Sequence, residues 1–305
     1  MSNRMDASQE ELAWRVLLGP SASIGRVNVG GSDVFVVRAG QGDCPLVFIS
    51  GLGESSLTWA GLVPSLSVAN AVVVYDRPGL GQSPPSSRPR TVEQLVSELS
   101  GLLATLRVDR AVLIGHSLGA RIAAETARSH PSQVAGAVLI DPVDPTILEK
   151  RGLVVVQRGL LALPRALSLI GLWPRMARAA ASREAGRAVS DPGLQEAVAA
   201  ALVEVRTRTS SRRTGAQEFA GLLSSAKRVG ASSPMRLIPV PFTVLSAGTS
   251  GAGEKARRTW TASNDALAAA SLRGRHLVVE GSSHYVHTSH PDVVIDEIRA
   301  LQERL

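Results

Sequence analysis

At 305 residues, 44% of them hydrophobic and 19% charged, the chain can bury a full core, as one large α/β domain or as a domain carrying an insertion. Its single cysteine, Cys44, excludes an internal disulfide and cysteine-based zinc sites, and fits a reducing compartment. The net charge of +7 would suggest a nucleic-acid partner, but residues 143–236 hold 15 Lys and Arg against 7 Asp and Glu, so the excess belongs to one segment, which has few aromatics and no helix-turn-helix, RNP or zinc-finger pattern.

The N-terminal stretch "MSNRMDASQEELAWRVLLGP" carries early acids and no apolar h-region, so a signal peptide is not expected. No eighteen consecutive apolar residues occur anywhere, so no spanning helix is expected and the setting reads as cytoplasmic. Apolar runs at 34–40, 45–53, 71–81, 110–119, 136–145, 242–248 and 275–281 are short, rich in β-branched residues and closed by Gly or Pro, which favours strands. Between them lie helical patterns. Residues 91–106 open with Thr91 as N-cap and present Leu95, Leu99, Leu102 and Leu103 on one face. Residues 117–130 present Leu118, Ile122, Ala123 and Thr126.

The alternation breaks at Pro142. About ninety-five residues follow without a clear strand. Ser190 or Asp191 is expected to cap a helix with the stripe Leu194, Val198, Leu202 and Val205, and Thr214 to cap another carrying Phe219, Leu222 and Leu223. Strand–helix alternation implies an α/β fold, a mostly parallel twisted sheet with helices on both faces. Residues 1–142 and 237–305 would form this core, and 143–236 a helical cap insertion.

"LIGHSLGAR" at 113–121 holds a G-x-S-x-G pattern. In a chain with 28 glycines the pattern alone is weak, but here it follows a strand and opens a helix. A sharp turn there would lift the Ser117 hydroxyl above the sheet, and Gly115 and Gly119 suit the crowding on either side. Ser117 is the candidate nucleophile. A serine hydroxyl needs a base oriented by a carboxylate, in the order Ser, acid, His for such a fold. "EGSSHYVHTSHPDVV" supplies His284 as the base, with His287 as the alternative. His290 reads as a cap of the last helix, 291–304, His276 as a strand residue, and His116 as a shaper of the turn and pocket.

"SGLGES", "YDRPGLGQS", "GHSLGA" and "GSSHYVHTSHPDVV" occur in that order over residues 30–300, and on them the chain resembles the α/β-hydrolase family. The resemblance implies a backbone oxyanion hole made by the N–H groups of Leu118, just after the nucleophile, and Leu52 in Gly51-Leu52-Gly53. Many members have His-Gly where this chain has Ser50-Gly51. The resemblance also exposes a departure. The usual acid position after the penultimate strand reads "SAGTSGAGEK", with Thr249 and Ser250 in place of an Asp. A variation in the family moves the acid to the strand after the nucleophile helix, which points to Asp141, with Asp144 and Glu254 as alternatives. Asp76 and Arg77 read as organisers of a tight loop.

The implied activity is hydrolysis of a carboxylic ester of a small, moderately apolar acyl substrate through an acyl-enzyme, with no metal or organic cofactor. A lactonase, thioesterase, acyltransferase or aminopeptidase would use the same residues, and a catalytically silent receptor on the same scaffold is the rival of another class. A serine at the turn argues against dehalogenase and epoxide hydrolase chemistry, which use a carboxylate nucleophile in this family. The apolar stretch 152–173, broken by Arg158, Pro164 and Arg165, is expected to line an acyl pocket, with a lipid-surface lid as the alternative.

Overall fold

The apolar runs assemble into one sheet. The computed structural model describes residues 7–144, 147, 167, 172–229, 238–249, 253–271 and 273–305. Its strands are β1 (Ser23–Val29), β2 (Ser32–Ala39), β3 (Leu46–Ile49), β4 (Val72–Tyr75), β5 (Ala111–His116), β6 (Val134–Ile140), β7 (Phe242–Ala247) and β8 (Arg275–Val279). They lie in the order β1-β2-β4-β3-β5-β6-β7-β8. β2 runs antiparallel to β1 and β4, and every other pairing is parallel.

Strands β3 to β7 are buried along their whole length, which is why they read as unbroken apolar runs. Side chains alternate between faces, so Leu113 joins one core cluster while Val112 and Ile114 join the other. The described α-helices of ten residues or more are α1 (Gln9–Leu18), α2 (Val92–Thr105), α3 (Leu118–Ser129), α4 (Trp173–Ala188), α5 (Pro192–Thr207), α6 (Thr209–Val229), α7 (Glu254–Ala269) and α8 (Pro291–Gln302). Leu99 of α2, Ile122 of α3 and Ala268 of α7 belong to the first cluster, and Trp14 of α1 with Ile298 and Leu301 of α8 to the second. Thr91 and Asp191 cap α2 and α5 through their side chains, accepting from Gln94 N and Leu194 N.

Four local readings differ. β1 was not expected, because "SIGRVNV" is a largely exposed edge strand with no apolar run. Helix α1 was not expected either, although Ser8 accepts from Glu11 N in an S-x-x-E start signal. Thr214 lies inside α6 rather than at its cap, since the helix already starts at Thr209. His290 occupies the N-cap position of α8, but its side chain makes no capping bond and its Nδ1 pairs with Ser289 Oγ instead. Of the stretch 152–173, all but Leu167, Leu172 and Trp173 lies outside the described residues. No described helix is long and apolar enough to cross a membrane.

The close fit that matters most lies where β5 turns into α3. A Cβ on Gly115 would stand 2.5 Å from the Gly119 carbonyl, and one on Gly119 would stand 2.0 Å from Ile49 O in the neighbouring strand. Neither obstacle is a flexible side-chain end. Gly119→Ala should therefore cost about 1–3 kcal/mol through a forced backbone shift. Urea unfolding should show this as a lower midpoint at unchanged slope.

Candidate active site

The C-terminal tips of β3, β5, β6 and β8 converge on one edge of the sheet, and the loops after them carry the polar residues. At the end of β5 the chain enters Ser117 with φ 52° and ψ −111°, then starts α3. Only three described non-glycine residues have positive φ, and two of them are Ser117 and Asp141. Such a backbone costs of order 1–3 kcal/mol and persists only where its surroundings enforce it. Here the Ser117 N–H donates to Ile140 O at 2.9 Å, and its carbonyl accepts from Arg121 N and Val143 N. The hydroxyl is not consumed as a helix cap. Leu118, the first residue of α3, has one of the N–H groups that a helix start leaves without an intrahelical acceptor.

Asp141 follows the last residue of β6 and is 6% exposed. Its N–H donates to Leu245 O at 2.7 Å, extending the ladder to β7. Its Oδ1 accepts from Ala247 N at 3.2 Å and from Asn264 Nδ2 at 3.5 Å. Its Oδ2 lies 2.5 Å from His284 Nδ1. Burial opposes the His284 imidazolium, but the hydrogen bond and charge of Asp141, with the charge of Glu54, raise the ring above its ordinary 6.5. His284 keeps 41% of its side chain exposed, so the ring is reachable.

The other candidates lie elsewhere. Asp144 Oδ2 accepts from Ser263 Oγ at 2.6 Å. Glu254 begins α7, 68% exposed, and pairs with Arg258. His287 is buried, with Nε2 2.9 Å from Thr58 Oγ1 and its ring 4.7 Å from that of Trp59. Burial first, then His116 and His284, push it well below the usual imidazole value, so it is a neutral wall residue. The position of the usual acid, Gly248-Thr249, instead anchors the His284 loop: Gly248 N donates to Ser282 Oγ, and Thr249 N and Oγ1 both donate to Ser282 O.

Arg77 and Glu218 shape the loop after β3. Arg77 is 3% exposed and donates to Ser50 O at 2.6 Å and Gly51 O at 2.7 Å. In a trans peptide the C=O and N–H point in opposite directions, so holding Gly51 O turns the Leu52 N–H away from Arg77. Arg77 in turn pairs with Glu218 of α6, which is fully buried and also accepts from Gly53 N at 3.0 Å. Burial works against the guanidinium charge, and Glu218 more than offsets it. Glu218 had no sequence signal beyond being one acid on a basic segment.

Beside this loop lies a cavity of about 140 Å3 lined by Glu54, Thr58, Glu184, Leu202, Arg206 and Tyr285. Its wall is mixed rather than apolar. Arg206 pairs with Glu184, and the Arg206 Nη1 has no hydrogen-bond partner among the described residues. The charge of Glu54 and then burial raise the Tyr285 phenol, so its hydroxyl keeps the proton. Among the described residues no group of three or more His, Cys, Asp and Glu is arranged to hold a metal ion.

A family model described as the alpha/beta hydrolase family matches residues 46–297. The chain is 34% identical to a pimeloyl-[acyl-carrier protein] methyl ester esterase of Aeromonas hydrophila, over 35% of this chain and 41% of that protein. It is 32% identical to an sn-1-specific diacylglycerol lipase of Danio rerio, over 41% of this chain and 43% of that one. These matches span less than half the length of either relative. Among solved structures, an epoxide hydrolase of Vigna radiata superposes with a TM-score of 0.73, covering 93% of this chain and 99% of that one at 16% identity, a likeness of fold.

Glu218→Gln should leave Arg77 buried without its counter-charge and cost about 3–5 kcal/mol. Denaturant unfolding at constant pH measures this, and a loss within 1 kcal/mol would mean that water already compensates the pair.

Proposed function

The chain belongs to the alpha/beta hydrolase family, and from that premise we propose that it is a serine hydrolase that cleaves a carboxylic ester through an acyl-enzyme. The observation that carries this reading is the 2.5 Å contact between His284 Nδ1 and Asp141 Oδ2, two residues 143 positions apart, beside a serine held at φ 52°. With Nδ1–H committed to Asp141, the other ring nitrogen is free to act as base.

Ser117 Oγ attacks the substrate carbonyl carbon as His284 Nε2 takes its proton. The Leu52 and Leu118 N–H groups receive the negative oxygen. The C–O bond breaks, and the imidazolium returns the proton to the departing alcohol. Water then attacks the acyl-enzyme, giving its proton to His284, and the acid leaves as Ser117 recovers its hydrogen. A cytoplasmic setting belongs to this reading, since Cys44 is the lone cysteine.

Ser117 as nucleophile separates this reading from epoxide opening, which in this family uses a carboxylate. Glu54, Arg206 and Tyr285 in the neighbouring cavity favour a substrate that carries a polar group there, rather than a wholly apolar one. A small-molecule substrate belongs to this reading. A lactone, thioester or amide would be opened by the same steps. A silent receptor on this scaffold is disfavoured by the acid–base contact, because a binding module has no use for an oriented, raised imidazole.

A fluorophosphonate probe should label the wild type at Ser117 and leave Ser117→Ala unlabelled; a folded wild type that stays unlabelled would instead support the receptor. Asp141→Asn should lower kcat by roughly 10⁴-fold, the size of loss expected when the tautomer is no longer held. Near-normal turnover in that variant would remove Asp141 from the mechanism. His284 must be neutral to act as base, so kcat/KM should rise with pH through a value above 6.5. A pH series on any ester the enzyme turns over reads this, and a midpoint below 6.5 would contradict it. A panel of esters, lactones, thioesters and amides of graded acyl length identifies the bond.

A further inference from the structure

A second histidine–carboxylate pair lies beneath the first. His116 is fully buried, and its ring centroid is 4.7 Å from that of His284, 5.1 Å from Tyr285 and 4.5 Å from His287. Its Nε2 is 3.1 Å from the backbone carbonyl of His284, and its Nδ1 is 3.2 Å from Glu54 Oε2. A carbonyl can only accept, so Nε2 carries a hydrogen. Nδ1 meets a carboxylate, so one further proton is needed between Nδ1 and Oε2, whichever atom holds it. The same Oε2 accepts the Gly51 N–H at 2.8 Å.

We propose that Glu54 and His116 act as one positioning unit, in which a proton held between them locks the His284 loop to the Ser50–Gly51 peptide, one peptide before the Leu52 N–H. This inference rests on the hydrolase reading. Each end of the unit grips backbone: His116 holds the residue that would act as base, and Glu54 holds the turn whose next N–H would receive the oxyanion. Arg77 fixes the carbonyl side of Gly51 while Glu54 fixes its N–H side, so Leu52 N–H is aimed by two charges, one buried and one largely buried. The fit around the pair is close enough to exclude a side chain at residue 51, where a Cβ would stand 2.7 Å from Glu54 Oε2 and 2.8 Å from His116 Nδ1. Burial alone would raise the Glu54 carboxyl, but the interactions with His116 and the Gly51 N–H hold it at about 2. A histidine that merely filled the core would need no carboxylate shared with the oxyanion loop.

The test combines kinetics with a proton signature. Glu54→Ala and His116→Phe should each lower kcat by about 10²-fold, the cost of a misplacement near 1 Å, with KM changed less than about threefold in His116→Phe, since His116 does not line the cavity. The double variant should lose no more than either single one, because the two act together. Proton NMR of the wild type should show a slowly exchanging downfield resonance that disappears in Glu54→Ala and in His116→Phe but survives Asp141→Asn. Folded variants that keep kcat within threefold, or losses that multiply in the double variant, overturn the proposal. If the variants do not fold, the wild-type spectrum decides: two separate downfield protons, one for each His–carboxylate pair, support the unit, and one alone overturns it. Fluorophosphonate labelling separates this failure from failure of the hydrolase reading. Slowed labelling at Ser117 in Glu54→Ala supports the unit, and an undiminished rate overturns it. An unlabelled wild type overturns the hydrolase reading, and the catalytic meaning of the unit with it.

Discussion

The hydrogen bond between His284 Nδ1 and Asp141 Oδ2 exists only because a parallel sheet brings its C-terminal strand tips to one edge. Asp141 leaves β6, His284 leaves the loop after β8, and β7 lies between those strands. The Asp141 N–H is tied to Leu245 in β7, and its Oδ1 to Ala247 N at the end of the same strand. The Asp141 carboxylate is thus built into the ladder rather than carried on a free loop. A carboxylate on a strand tip loses little side-chain freedom on orienting its partner, and the Gly248-Thr249 turn holds no carboxylate.

Beneath the loops lies a layer of buried charge. Arg77, Glu218, Arg90 and Glu98 interlock within 4 Å, and all are nearly or fully buried. Asp76 accepts from Ser56 N and Gln82 N, and burial raises its carboxyl to about 6. Such groups are costly to bury and add little net stability when replaced by matched apolar residues. Their use here is geometric. Arg77 and Glu218 end on backbone groups of the loop after β3, and Asp76 on the N–H groups of Ser56 and Gln82. A hydrophobic layer would pack these loops without fixing which way their N–H groups face.

The helical segment is part of this layer. Glu218, on α6, is wholly buried against Arg77 and the Gly53 N–H, and Glu204 on α5 accepts from Gln9 N at the start of α1. A division of the chain into a sheet core and a cap describes its order in sequence. The hydrogen bonds of Glu218 to Arg77 and Gly53 cross that division.

The sequence by itself determined the strands β2 to β8, whose apolar runs have no other way to be satisfied, and the turn around Ser117, where two glycines flank a serine between strand and helix. The family resemblance pointed to Asp141 and His284 as partners, and the structure brings their side chains together. The sequence left β1 unseen, since an exposed edge strand carries no apolar run, and it left Glu54, His116, Arg77 and Glu218 without their partners. Those partners are 62 and 141 positions apart in the chain, and a charged side chain bears no mark of whether it will face water or another charge. Only the packing of α6 and of the loops over the sheet edge decides that, because a buried ion pair is defined by the distance between its two ends and by the absence of water around them.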